Sequence, residues 1–195
     1  MKKGEYGHIE YYKKRMLFIS MIFIVLIAVL STAVLLVFKT RNNALILLPI
    51  ILVLPFARFF VNYLIVRQAK AWTMSHEIYE EVQTYLKGKI DVTAAYDVTV
   101  FSKEGVTFLD FIFIYGDIVC GLRSGNKGKF SDRDMEKYIE KLLRVDGYKM
   151  KVYVYDELHK LTEAFDKRYE SIKNENKANV KRQEKVKDSI LNIGV

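Results

Sequence analysis

Apolar residues fall in two long unbroken runs near the front of the chain and in shorter, periodic runs after them. From Met16 to Phe38 the sequence reads MLFISMIFIVLIAVLSTAVLLVF, 23 residues without a charge. As a helix this run extends roughly 35 Å, enough to span the hydrocarbon core of a bilayer. Basic Lys13, Lys14 and Arg15 precede it, as in a secretory signal peptide, but the run is longer than such segments and a second apolar run follows at once. The pattern therefore predicts a retained helix.

The second run, Ala44 to Val66, carries Pro49, Pro55, Arg58 and Asn62. An arginine at the bilayer centre costs about 2.5–3.5 kcal/mol on insertion scales, but Arg58 lies close enough to the Val66 end to snorkel toward the headgroups. Arg58 and Asn62 stand at i and i+4 on one helical face, so they are also placed to meet the first helix or a partner protein. A kink is expected near Pro55. Only residues 39–43 separate the runs, which makes the two helices antiparallel neighbours with both chain ends on one side. Lys2, Lys3, Lys13, Lys14 and Arg15 precede the first span and Arg67 and Lys70 follow the second, against Lys39 and Arg41 between them. The positive-inside rule puts both ends in the cytoplasm of a cell membrane crossed twice. Tyr11, Tyr12, Tyr63 and Trp72 fall near the same boundary, where amphipathic rings commonly sit.

Beyond the hairpin the periodicity changes. Ser75 reads as the N-cap of a helix from His76 to Leu86, with Ile78, Val82, Tyr85 and Leu86 on one stripe and Gly88 as its stop. Three β-rich runs follow, Ala95–Phe101, Val106–Tyr115 and Ile118–Arg123, joined by turn chemistry suited to hairpins. The middle run, VTFLDFIFIY, is almost wholly apolar and reads as a central strand covered on both faces. Ser131 and Asp134 approximate a capping box before a helix from Asp132 to Arg144, with Met135, Tyr138, Ile139, Leu142 and Leu143 on one stripe. Lys151–Tyr155 is a fourth strand, and a last helix from Glu157 turns Leu158, Leu161, Phe165 and Ile172 inward. The predicted fold is α+β: a two-helix transmembrane hairpin, then a soluble αβββαβα domain with a mixed, mainly antiparallel four-stranded sheet. The parts are a basic N-terminus at 1–15, the hairpin at 16–72 (spans 16–38 and 44–66), the domain at 73–172 and a charged tail at 173–195, read as a solvated helix or disorder.

Charge alters the choice of partner. The formal +8 is distributed as +8 over residues 1–74, −3 over 75–172 and +3 over 173–195. Positive charge thus sits beside the membrane and in the tail, while the domain is slightly acidic and a poor match for a phosphate backbone. The bilayer and another protein are the expected partners, self-assembly is compatible with the sequence, and nucleic acid is disfavoured. The single cysteine, Cys120, excludes an internal disulfide and, between Val119 and Gly121, reads as a buried hydrophobe.

Motifs of catalysis are sparse. His8, His76 and His159 are scattered, and no cofactor motif is present. Gly128-Lys129 lacks the earlier glycine and the following Ser/Thr of a phosphate loop. Lys127 and Lys129, just before a helix N-terminus, could still contact an anion, although a solvated loop is by far the commoner setting for such residues. The succession helix, three meandering strands, helix, strand over residues 76–156 resembles the αβββαβ core of the nuclease-related, restriction-endonuclease-like domains. That resemblance implies an acid on the first helix, matched by Glu77 or Glu81, an Asp on the second strand, matched by Asp110, and a Glu-x-Lys pair on the third. Ile118–Arg123 supplies neither carboxylate nor lysine. The opening MKKGEYG, the hairpin and the α+β tail are also similar to small two-helix membrane proteins of Gram-positive bacteria. The sequence therefore points to a membrane-anchored, non-catalytic interaction or accessory protein, with a metal-dependent, nuclease-like hydrolase using Asp110 and Glu77 as the alternative. Asp110 in an apolar strand is otherwise a paired structural acid.

Overall fold

The computed structural model describes residues 2–38, 47–68, 74–89, 91–102, 105–125, 131–174 and 179–192, and the chain divides into two compact units. One is Ile9–Lys70. The other joins Met1–His8 to Ala71–Val195.

In the first unit, α1 (His8–Phe38) and α2 (Leu47–Gln68) are long apolar helices. α1 starts well before the uncharged run, because Glu10 and Lys14 pair at 3.0 Å across one turn and carry the helix through the charged stretch. Two of its three Ser/Thr hydroxyls are satisfied locally: Ser20 Oγ donates to the Met16 carbonyl and Thr32 Oγ1 to the Ala28 carbonyl, each at 2.8 Å. Phe23 of α1 meets Phe59 of α2 with ring centroids 5.6 Å apart. Pro49 lies in the first turn of α2, where its missing N–H costs nothing, and Pro55 lies inside the helix. Both helices are long and apolar enough to cross a membrane, and only 6% of each apolar stretch is buried. That low burial distinguishes them from the core helices of a soluble protein.

The second unit is three-layered and α+β. Strands β1 (Thr93–Ser102), β2 (Gly105–Tyr115), β3 (Ile118–Leu122) and β4 (Lys151–Tyr155) form one sheet in the order β1-β2-β3-β4. The first three pair antiparallel and β4 runs parallel to β3, as a crossover through α4 (Asp132–Val145) allows. α3 (His76–Leu86) begins at Ser75, whose hydroxyl accepts the Ile78 amide, and α4 begins at Ser131, which accepts the Asp134 amide. α4 packs on one face of the sheet over Leu109, Ile112, Ile114, Val119 and Val152. α3 and α5 (Leu158–Asn174) cover the other face, over Phe111, Phe113, Tyr115, Cys120 and Leu122. β2 and β3 are therefore central strands buried on both sides, as the apolar middle run predicts.

Two segments join this unit against expectation. Residues 180–192, read from sequence as a solvated or disordered tail, form α6 (Val180–Asn192), which buries Val186, Ile190 and Leu191 beside α4 and against β1. Its apolar positions are few, but they share one stripe, and neighbours invisible in the local sequence complete the burial. The second segment is the N-terminus. The Tyr96 amide of β1 donates to the Gly4 carbonyl at 2.8 Å, the Gly7 amide donates to Asp97 Oδ2 at 2.6 Å, and Tyr6 stacks on Tyr79 of α3 at 4.2 Å. β1 is an edge strand, and residues 4–7 strap that edge. The opposite edge is closed by side chains: Glu136 and Glu140 of α4 accept the Val154 and Val152 amides at 2.8 and 3.0 Å. Both sheet edges, where unpaired backbone would invite another strand, are thus engaged.

Gly4 adopts φ +85°, and a Cβ there would lie 2.9 Å from Leu191 Cδ1. Gly4→Ala is expected to lower the stability of this unit by about 1–2 kcal/mol, the cost of a left-handed backbone at a non-glycine residue. Gly88→Ala, where a Cβ meets nothing within 4 Å, should leave it unchanged. Chemical denaturation of the detergent-solubilised protein, followed by tyrosine fluorescence, compares them; equal midpoints would show that the strap is dispensable.

Candidate functional site

The acid singled out in the apolar strand has a counterpart that pattern reading overlooks. Tyr96 pairs with Phe111 and Val98 with Leu109, so Asp97 and Asp110 occupy the single step between those pairs on neighbouring strands. Both are buried, at 5% and 4% exposure. Alternation breaks at this level in both strands at once: Ala95 and Val98, and Leu109 and Ile112, face the same core although each pair is three apart. Asp97 has φ +51°, a left-handed residue within a strand, and the matching slip in β2 keeps the register intact. The signal available in the sequence is the repetition of one motif, an Asp interrupting an apolar strand, in Tyr96-Asp97-Val98 and Leu109-Asp110-Phe111.

Each carboxylate holds a distant segment. Asp97 receives the Gly7 amide of the N-terminal strap. Asp110 Oδ2 receives the Ser124 amide at 2.6 Å, and the Ser124 side chain and the Asp110 amide also favour its ionised form. Burial outweighs these bonds and raises the Asp110 pKa above the ordinary carboxylate value. Next to Ser124, Arg123 is 2% exposed and its Nη1 donates to Asp132 Oδ1 in the first turn of α4 at 3.2 Å. Desolvation lowers the pKa of that guanidinium and Asp132 opposes the shift. The chain leaving β3 is therefore tied to β2 through Asp110 and to α4 through Asp132.

Other candidate residues do not converge on this acid pair. Glu77 is exposed in the first turn of α3, where a carboxylate complements the helix dipole. Among the described residues no three His, Cys, Asp or Glu side chains gather as metal ligands. Cys120 is buried, its thiol pushed up to about 12 by desolvation, which suppresses the nucleophilic thiolate. Arg58 is exposed and Asn62 half-buried on α2. Trp72, Lys127 and Lys129 lie outside the described residues. The N-terminus of α4 that follows the two lysines already carries Asp132 and Asp134 in its first turn. A shallow cleft of about 420 Å³ at the start of β3 and β4 is lined by Asp117, Glu140, Arg144, Tyr148, Lys149, Met150 and Lys151. It mixes both signs of charge, and its Glu140 is already bonded to β4.

No family model matches the chain, and no curated protein or solved structure matches it either.

The raised pKa of Asp110 has a definite sign in stability. The folded state holds the proton more tightly than the unfolded chain, so the contribution is full below the unfolded pKa of about 3.9 and is lost as pH rises through the folded value. Asp110→Asn keeps a carbonyl oxygen for the Ser124 amide and removes the titration. The stability of the unsubstituted protein relative to Asp110→Asn is expected to fall as pH rises above about 4 and then to level off. Denaturant midpoints across pH 3.5–8 measure it; a difference that is flat or rises with pH contradicts the assignment.

Proposed function

We propose that this protein is a membrane-anchored, non-catalytic interaction or accessory module. In this reading α1 and α2 cross the cell membrane as a hairpin, and the three-layer unit stands in the cytoplasm, where it binds another protein. The observation that carries the reading is a partition of exposed surface. Of the exposed large hydrophobic residues among the described positions, all but Val145 and Val180 lie on α1 and α2. Such surface is not tolerated in water at this extent and is what lipid solvates. A second observation supports retention of α1 and a common side for its flanks. Residues 4–7 bond to β1, so both sequences flanking the helix pair belong to one folded unit. Cleavage after α1 as a leader would remove that strap. The basic flanks then favour the cytoplasmic side.

The accessory role is supported by the use that three buried reactive groups have within the fold: Asp97 and Asp110 hold backbone amides, and Cys120 packs in the core. Cell fractionation should leave the full chain in the membrane after alkaline carbonate washing, with a C-terminal reporter active only in the cytoplasm. Photo-cross-linking from exposed positions of α3 and α5 in native membranes should then capture a discrete protein partner. A carbonate-soluble chain, an external reporter or the absence of any adduct above background would each overturn the corresponding part.

A nuclease-like hydrolase is the second reading, favoured by the order α3-β1-β2-β3-α4-β4 with Asp110 on β2. It expects magnesium or manganese to bind the purified full chain and Asp110→Ala to abolish both binding and hydrolysis of DNA. Unchanged behaviour of that variant excludes Asp110 as a ligand, and fold likeness alone confers no activity.

A further inference from the structure

Charge is divided unequally between the two helical layers. On α4, Arg133, Lys137, Lys141 and Arg144 are all exposed. At 100° per residue they fall within about 80° of arc, opposite the buried Met135, Ile139 and Leu143. The acids of α4 are engaged elsewhere: Glu136 and Glu140 hold the β4 amides, and Asp134 is bonded to Ser131 at the N-cap. α6, beside α4, adds exposed Lys181, Arg182 and Lys185 against one exposed acid on the same arc, Asp188, while its Glu184 pairs with Lys187. In the other layer, Glu77, Glu80 and Glu81 of α3 are exposed against Lys87, while α5 exposes Lys160, Lys167 and Lys173 beside Glu163 and Glu170. The folded unit thus has a basic α4/α6 face opposed by a layer of mixed charge, an asymmetry that its small net charge conceals.

We propose that the α4/α6 face is a docking surface for anionic phospholipid headgroups of the membrane in which the chain is anchored. This rests on the anchoring reading above. Only residues 69–75 join α2 to α3, and seven residues reach no farther than about 25 Å. An anionic bilayer surface is therefore held at a local concentration that a free polyanion does not match. The chemistry of the face agrees. It is rich in lysine and arginine, and among the described residues its exposed large hydrophobics are Val145 and Val180, neither of them an aromatic ring on which a base would stack. Attraction of this kind acts within roughly 8 Å at physiological salt, so it is sensitive to ionic strength.

The test uses the full chain in nanodiscs of phosphatidylcholine alone and of phosphatidylcholine with one third phosphatidylglycerol. Lysines are briefly acetylated and read by mass spectrometry at low and high salt. Anionic discs should slow acetylation of Lys137, Lys141, Lys181 and Lys185 by about three-fold or more relative to Lys87 and Lys167, and high salt should abolish the difference. The double variant Lys137→Glu/Lys141→Glu changes only exposed side chains; it should keep the circular dichroism of the parent and lose the protection of Lys181 and Lys185. Equal labelling in both discs overturns the proposal even when the protein co-elutes with the disc. Failure to co-elute overturns the anchoring reading itself, and this proposal with it. Protection of the same lysines by added duplex DNA, with no effect of phosphatidylglycerol, overturns it in favour of a nucleic-acid surface.

Discussion

The hydrogen bond from the Tyr96 amide to the Gly4 carbonyl decides what kind of molecule this is. A sheet of four strands has two outer edges, and every buried amide on them needs a partner. At β4 the partners are carboxylates of α4, which the crossover itself brings into reach. At β1 no crossover is at hand, and the partner comes from the other side of the apolar helices, about ninety residues away in sequence. Closing that edge makes the α+β unit discontinuous: its first residues precede α1 and the rest follow α2.

The same edge explains the two buried acids. An aspartate in the left-handed conformation at position 97 reverses the side-chain alternation of β1, and Asp110 accompanies the same reversal in β2. Because both strands slip together, the register survives and each carboxylate is presented to a segment outside the ladder. Charge buried this deeply is retained where it satisfies several donors at once. Asp110 does this with Ser124, and Asp97 receives Gly7. Each of these acids, set in an apolar strand, accepts the amide of a segment that carries no secondary structure of its own.

The face covered by α3 and α5 shows a related economy. Tyr85 donates to Asp166 of α5 at 2.6 Å, Lys89 bonds the same carboxylate at 2.6 Å, and the Lys89 ammonium lies 4.3 Å from the Tyr85 ring centroid. Desolvation and the neighbouring carboxylate both hold the Tyr85 hydroxyl protonated, so it keeps the proton that it donates to Asp166. Tyr115 and Tyr169 extend this aromatic layer, with centroids 4.6 Å apart. The high tyrosine content of the chain is in large part this layer, whose rings fill volume while their hydroxyls reach polar partners.

By itself the sequence determined the elements whose burial is periodic and local. The apolar helices, the His76–Leu86 helix, the four strands and the central place of VTFLDFIFIY follow from the spacing of apolar residues and from Ser, Gly and Asp at the boundaries, since one face of each element must leave water whatever it packs against. Asp110 was legible as an anomaly for the same reason. Tertiary structure alone decided that residues 4–7 strap β1, that α6 docks through three apolar side chains, that Asp97 stands level with Asp110, and that α4 and α6 pool their basic residues on one face. These facts depend on backbone hydrogen bonds and on juxtapositions between segments far apart in the chain, and neither leaves a periodicity that a local window can register.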